Sequence, residues 1–381
     1  MRYKRLFLFV LTTIIVFLNI NVYGEETLRE NELNARAAVL IDGNNGRVLY
    51  GKNIYEKLPM ASTTKIMTCL IALEYGNLQD TVTFSEYAAS MPKVKLGVAA
   101  GTKFMLQDML YSMMLESHND TAVAIAEHIA GNVHEFSKLM NQRAQKIGAF
   151  DTRFVTPNGL DADEHYSTAY DMAIIAAEAM KNETFCQIIK TREYQFKDVE
   201  QKNSYNVYNK DSFLEMMEGA VGVKTGFTGK AGYCFVGAVK KNDKFFVSVV
   251  LASGWPPNKN YKWKDTIRLM KYGDSNYENK SVFSGDREYK KIKVKKGQKK
   301  FVSTYIEGNK EMLLSDSDRV DYKYEIDKNV LTAPVEKGKV VGRMYLYVND
   351  VLMESFEIKT KSNVKKADIK YYLKKHFGGW L

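Results

Sequence analysis

The sequence predicts an α+β protein in which an antiparallel sheet carries helices on its faces and is followed by a small all-β domain. Three observations lead there. Strand patterns open and close the first part of the chain, with helical patterns between them. Beyond Tyr272 the pattern changes to short alternating strands. And 381 residues with 45% hydrophobic and 26% charged content describe an ordinary globular chain, long enough for two domains.

The first residues stand apart from that fold. Arg2, Lys4 and Arg5 precede an apolar run from Leu6 to Phe17, and Val22-Tyr23-Gly24 leads into Glu25-Glu26. A charged start, apolar middle and small-residue end describe a secretory signal peptide, residues 1–24, cleaved after Gly24. A retained anchor is disfavoured because the run falls short of the ~20 apolar residues that a span needs. Cleavage lowers the formal charge from +10 to +7, so the mature chain stays basic. Anionic lipid or an anionic wall polymer suits that charge. Nucleic acid does not, since no lysine stripe sits in a recognisable nucleic-acid module. Cys69, Cys186 and Cys234 are odd in number and read as free thiols, Cys69 and Cys234 as small buried apolar groups. His118, His128, His134, His165 and His376 form neither an H-E-x-x-H pair nor a cluster with cysteine, so no metal and no other cofactor is expected.

Ala37-Ala38-Val39-Leu40-Ile41 and Arg47-Val48-Leu49-Tyr50 flank a Gly/Asn turn and read as a hairpin. From Thr63 to Tyr75 the almost continuous apolar surface of Ile66, Met67, Leu70, Ile71 and Leu73 predicts a buried helix that Gly76 ends. Further helices are predicted over Leu106–Glu116, Asp120–Ala130, Val133–Ile147 and Thr168–Ala179. Strands return at Ala220–Val223, Tyr233–Val239 and Phe245–Leu251, bringing the first and last strands together in space. Gly273-Asp274-Ser275-Asn276 reads as a connector, so the catalytic domain is placed at 25–272 and the β domain at 273–362. The tail, 363–381, carries Ile369, Tyr372, Leu373, Phe377, Trp380 and Leu381 at helical spacing among Lys365, Lys366, Lys370, Lys374 and Lys375. This is the pattern of an interfacial membrane helix.

Three short motifs fall into this framework in fixed order: Ser62-Thr63-Thr64-Lys65, Ser117-His118-Asn119 and Lys224-Thr225-Gly226. Each alone is weak. Together, each in the local structure its chemistry needs, they point to acyl transfer. Ser62 and Lys65 lie one helical turn apart on one face. A serine hydroxyl attacks only when a base takes its proton, and a lysine is that base only if desolvation or a nearby cation lowers its pKa; Lys224 is a candidate cation. Ser117 is positioned as a proton relay, and the Asn119 amide as a holder of Lys65 and of a substrate carbonyl. Asp120 reads as a helix cap. On the strand, Lys224 and Thr225 suit an anionic carboxylate, and Gly226 admits a substrate backbone. The Ser62 and Phe227 N–H groups are the two oxyanion donors.

With these motifs the chain resembles the low-molecular-mass penicillin-binding proteins that act as serine-type D-alanyl-D-alanine carboxypeptidases, peptidase family S11. The resemblance extends to Ala61–Thr68, Phe154–Asp161, Ser167–Ala173 and Val223–Tyr233, and covers the chain from Ala37 to its end. It implies a β-lactamase/transpeptidase-like catalytic domain that removes the terminal D-alanine from peptidoglycan pentapeptide stems at the outer face of the bacterial cytoplasmic membrane or in the wall. It further implies Ser62 as acylated nucleophile, Lys65 as proton acceptor, Ser117 as active-site serine, Lys224 as substrate-binding residue, and β-lactam antibiotics as covalent inhibitors. Three positions depart from the family pattern: His118 where a small residue is usual, Lys210 near where relatives place a carboxylate-holding arginine, and Phe227 where some have histidine. A class A β-lactamase is the nearest rival, since Glu178 and Asn182 match its E-x-x-x-N spacing, but Glu178 falls inside an apolar helical run. A non-catalytic wall-binding or penicillin-sensing protein is disfavoured by the intact motif residues.

Overall fold

The computed structural model describes residues 27–285 and 287–377. The expected signal peptide and residues 378–381, which include Trp380 and Leu381, lie outside the described residues. Five antiparallel strands form the main sheet, in the order Val48–Lys52, Ala37–Asp42, Lys244–Leu251, Gly232–Lys241, Ala220–Thr228. The chain's first strand therefore pairs with a late one, Ala37 opposite Leu251, as the strand–helix–strand order requires.

Side chains alternate across a strand, and both faces here are covered. Ala37, Val39 and Ile41 join the larger core with the helical layer, while Ala38 and Leu40 join a second core with Phe235, Trp263, Leu269 and Met270. At the centre of the helical layer lies the Lys65–Tyr75 helix, buried from Lys65 through Ala72. Its all-round apolar sequence has neighbours on every side, each fully buried Leu, Ile or Met contributing roughly 1.5–3 kcal/mol.

Sequence patterning placed the Leu106–Glu116 and Val133–Ile147 helices where they occur. It missed the Glu183–Lys190 helix, the Glu193–Lys197/Ser204–Tyr208 hairpin and the Tyr261–Asn276 helix. The last of these corrects the expected connector: 273–276 is the helix's final turn. Gly273 is there for close approach, since a Cβ would stand 2.7 Å from Leu40 and 3.0 Å from Phe246. Asp120 also differs. The Asn119–Ala130 helix is capped at His118, and Asp120 lies in its first turn, fully buried. It accepts the Leu96 (2.9 Å) and Gly97 (2.8 Å) N–H groups, fastening the 92–97 loop to the helix, as well as the Thr121 N–H (2.8 Å) of its own first turn.

The β domain is built on a six-stranded sheet with a separate two-stranded ribbon, Glu278–Phe283 with Lys310–Leu314. It docks on the catalytic domain's first hairpin. Arg47 donates to the Leu313 carbonyl (2.6 Å) and pairs with buried Asp318, Tyr277 donates to the Leu49 carbonyl (2.8 Å), and Leu313 enters the second core. The terminal helix, Ile369–Phe377, begins at Asp368, whose carboxylate accepts the Tyr371 N–H. Ile369, Tyr372 and Leu373 remain 77%, 50% and 55% exposed, so the helix does not pack these three residues on its own domain. No described helix is long and apolar enough to cross a membrane.

Candidate active site

Ser62 lies in a 3₁₀ turn, Ala61–Thr64, that runs directly into the central helix. Lys65 is its first residue and is fully buried. Its Nζ faces three oxygens: Ser62 Oγ at 2.9 Å, Asn119 Oδ1 at 2.9 Å and the Asn158 carbonyl at 2.5 Å. Two of these partners accept only. A neutral amine donating to Asn119 and Asn158 therefore turns its lone pair to the Ser62 hydroxyl, and the third bond reverses so that Ser62 donates. Desolvation holds the Lys65 pKa well below the ordinary lysine value, and the charge of Lys224 pushes in the same direction.

Lys224, 2% exposed, sits behind the cleft with its Nζ donating to the Thr225 carbonyl (3.2 Å). Burial brings its pKa down to about 8, against the opposing pull of Asp211. Asp211 is itself buried, which raises its carboxyl to about 6, and it accepts the Phe213 and Val223 N–H groups. The cations that line the cleft are instead Lys93, Lys210 and Lys262, alongside Ser62, Ser117, Asn119, Thr225, Gly226, Phe227, Tyr233 and Trp263, around a volume of about 330 Å³. Larger hollows of about 710 and 880 Å³ elsewhere on the surface lack the serine–lysine pair.

The edge strand Ala220–Thr228 packs against the nucleophile turn. A Cβ on Gly226 would stand 3.0 Å from the Ser62 nitrogen and 3.1 Å from Ala61 Cβ and the Met60 carbonyl. Gly226 thus makes room for the protein's own turn, and this contact sets the Ser62 and Phe227 N–H groups on facing elements. Gly159 does the same from the other side: its φ is +82° and a Cβ would lie 2.0 Å from the Ala61 carbonyl oxygen. Ala61 (φ 49°) and Ser117 (φ 67°) are non-glycine residues in the left-handed region, so strained backbone brackets the cleft.

Ser117 lines the cleft, but among the described residues its buried hydroxyl has no hydrogen-bond partner, Lys65 included. Asn119 lines the cleft and holds Lys65 through Oδ1, while one of its two Nδ2 hydrogens goes to the Pro92 carbonyl (3.3 Å). His118 points away from the cleft. Its Nδ1 meets Ser112 Oγ at 2.8 Å and its Nε2 meets Glu116 at 3.3 Å, and burial is the main cause of its lowered pKa. Glu116 in turn pairs with Lys210 (3.0 Å) on the cleft rim.

Sequence reasoning missed Asn158, Asp211, Lys262 and His165 as parts of this site. His165 Nδ1 accepts the Val155 N–H (3.0 Å), which leaves Nε2–H to donate to Thr64 Oγ1 (3.0 Å) beside Lys65. Burial lowers its pKa to about 4, keeping it neutral. Glu178, the candidate deacylating glutamate of the rival reading, is tied to Arg143 and Lys181, each at 2.7 Å, and does not line the cleft.

A serine hydrogen-bonded to a desolvated lysine, at the foot of a buried helix and against an edge strand, defines a serine acyl-transfer enzyme of the penicillin-binding class. The family model described as D-alanyl-D-alanine carboxypeptidase matches residues 24–254, and that of the penicillin-binding protein 5 C-terminal domain matches 277–366. The chain is 35% identical over 361 residues to the D-alanyl-D-alanine carboxypeptidase DacF of Bacillus subtilis, covering 92% of each. The crystal structure of penicillin binding protein 5 from Haemophilus influenzae superposes with a TM-score of 0.73 at 28% identity, over 90% of this chain and 100% of that one. A Streptomyces K15 DD-transpeptidase variant superposes at 0.60 and 30% identity, over 64% of this chain and 98% of the other. The chain belongs to the D-alanyl-D-alanine carboxypeptidases, peptidase family S11. It is a serine peptidase of peptidoglycan metabolism that acts on stem peptides through an acyl-enzyme and binds penicillin, and its relatives do this work outside the cytoplasm.

Proposed function

We propose that Ser62 is the acylated nucleophile, Lys65 the neutral base that takes its proton, and the Ser62 and Phe227 N–H groups the oxyanion donors for removal of the terminal D-alanine from pentapeptide stems. One observation carries this: Lys65 Nζ has two fixed acceptors and the Ser62 hydroxyl as its third partner. Attack of Ser62 Oγ on the penultimate D-alanine carbonyl passes the hydroxyl proton to Lys65. Collapse of the tetrahedral species returns that proton to the leaving D-alanine amine, with the Ser117 hydroxyl in the cleft as its relay. Water then repeats the sequence on the ester. Burial, and after it the charge of Lys224, keeps Lys65 neutral. The substrate carboxylate is better matched by Thr225 and Lys262, because Lys262 faces the cleft among Tyr233 and Trp263.

Muropeptide analysis tests the reading. Purified residues 25–381 should convert pentapeptide to tetrapeptide plus free D-alanine, with Lys262→Gln raising KM more than it lowers kcat. Cross-linked product in place of free D-alanine would reassign the acyl-enzyme to transpeptidation.

The same reading divides the chain into a leader (1–24) removed on export, a catalytic domain, a β domain from near Tyr277 and a tail that meets the membrane surface peripherally. The exposed Ile369, Tyr372 and Leu373 among lysines support the last point. Removing residues 369–381 spares the backbone contacts of Lys365 and Ala367. It should lower co-sedimentation with anionic liposomes and leave turnover of a soluble peptide unchanged. Equal sedimentation of both forms rejects the tail as an anchor.

A further inference from the structure

We propose that the loop Lys295–Phe301 of the β domain is a second contact for an anionic lipid surface, held beside the tail helix and acting with it. The proposal rests on the tail reading above and extends it to a part of the chain whose sequence pattern gave no sign of a membrane. The loop joins the strands Arg287–Lys295 and Phe301–Ile306, and reads Lys295-Lys296-Gly297-Gln298-Lys299-Lys300-Phe301.

Four hydrogen bonds make loop and tail one unit. The Gln298 N–H donates to the Lys365 carbonyl (2.9 Å) and the Ala367 N–H to the Lys296 carbonyl (2.8 Å), which together form the Gly297–Lys366 bridge; the Gln298 side-chain Nε2 donates to the Lys366 carbonyl (3.3 Å), and the Tyr371 hydroxyl to the Gln298 carbonyl (2.8 Å). Tyr371 is thus spent on holding the helix to the loop, while Ile369, Tyr372 and Leu373 stay exposed, as does Phe301 at 52%.

Charge is equally one-sided. Residues 295–301 and 365–377 together contain nine lysines and one carboxylate, Asp368, which caps the helix. Among the described residues none of those nine ammonium groups has an ion-pair or hydrogen-bond partner. Four lysines elsewhere in the domain do pair: Lys280 with Asp316, Lys310 with Glu354, Lys359 with Glu357 and Lys361 with Glu288. A soluble polyanion would satisfy the lysines but would leave the exposed rings in water. A lipid surface satisfies both, with ammonium groups at phosphates and Phe301, Tyr372 and Leu373 at the headgroup–acyl boundary. Binding of an amphipathic segment grows with the apolar area it buries and with electrostatic attraction to anionic lipid, so a basic loop with an exposed ring beside the helix adds to both.

Vesicle binding by the mature full chain tests this, using mixed phosphatidylglycerol/phosphatidylcholine vesicles over a salt series. Each lysine near an anionic surface contributes roughly fivefold to binding. Replacing Lys295, Lys296, Lys299 and Lys300 together by glutamine should therefore weaken binding at least about tenfold and flatten its salt dependence. Phe301→Ser should weaken binding with the salt dependence kept. A control with Lys138, Lys146, Lys181 and Lys190 changed to glutamine carries the same net charge and should bind nearly as the parent does. Parental release of D-alanine from a soluble peptide shows that each variant is folded. Loss of binding in the loop variants while the 369–381 truncation binds normally would support the loop and reject the tail. Loop variants that bind as the parent does, or no better than the control, overturn the proposal whatever they do to binding of polyphosphate. So does a parent that does not bind these vesicles at all, which rejects the tail reading with it.

Discussion

Replacing Lys65 by arginine is expected to slow acylation by penicillin about 10²- to 10⁴-fold while the protein stays folded, because arginine keeps the positive charge and cannot give up its proton. The lysine is placed to act as a neutral amine. It is fully buried, burial lowers its pKa, Lys224 lowers it further, and its three partners leave one position for a lone pair. The sign of the pH dependence follows. Lowering pH protonates Lys65 and removes the lone pair, so the parent's acylation rate should fall on the acid side and level off as pH rises. Stopped-flow acylation with a chromogenic β-lactam measures both. An arginine variant with near-parental rates would transfer the base role to another group, with Ser117 the first candidate.

Gly159→Ala should damage both stability and chemistry. The new methyl would meet three backbone atoms of the nucleophile turn: the Ala61 carbonyl oxygen at 2.0 Å, its carbon at 2.5 Å and the Ser62 nitrogen at 2.9 Å, with φ at +82°. None of these is a flexible side chain that can swing aside. Overpacking costs roughly 1–3 kcal/mol, and left-handed backbone adds roughly 1–2 kcal/mol for an alanine. A loss of about 2–5 kcal/mol in denaturant unfolding is therefore expected. Relief comes only by moving the loop that carries the Asn158 carbonyl or the turn that carries Ser62. A shift of ~1 Å in such geometry costs on the order of 10²-fold in rate. Parental stability together with parental acylation would show that the loop does not lean on the turn as described.

How much of this was legible in the sequence depends on the range over which each residue acts. Ser62, Lys65 and the central helix could be read because their relation is local: three residues on one helical face with apolar neighbours all round. The main sheet could be read because its strands alternate or run apolar. Asn158 could not, because what it contributes is a carbonyl directed at Lys65, and nothing in Pro157-Asn158-Gly159 beyond a turn signal says where that oxygen points. His165 was visible only as a histidine outside any metal pattern, since its partners Thr64 and Val155 are contacts made by folding. Lys262 and Asp211 were hidden for the same reason: each reaches the site from an element that sequence patterning did not assign. Asp120 was misread because an aspartate at a helix start suits either a cap or a loop clamp, and the cap position falls two residues earlier, on His118. Gly273 was read as part of a connector, whereas it is a gap on a helix that Leu40 and Phe246 fill.

Intact-mass spectrometry after incubation with penicillin tests the central claim most directly. The mature parent should gain the mass of one opened β-lactam, peptide mapping should place it on Ser62, and Ser62→Ala should show no adduct while melting as the parent does. An undiminished covalent adduct on the Ser62→Ala protein would contradict the assignment of the nucleophile and, with it, the roles given to Lys65, Asn158 and the oxyanion donors.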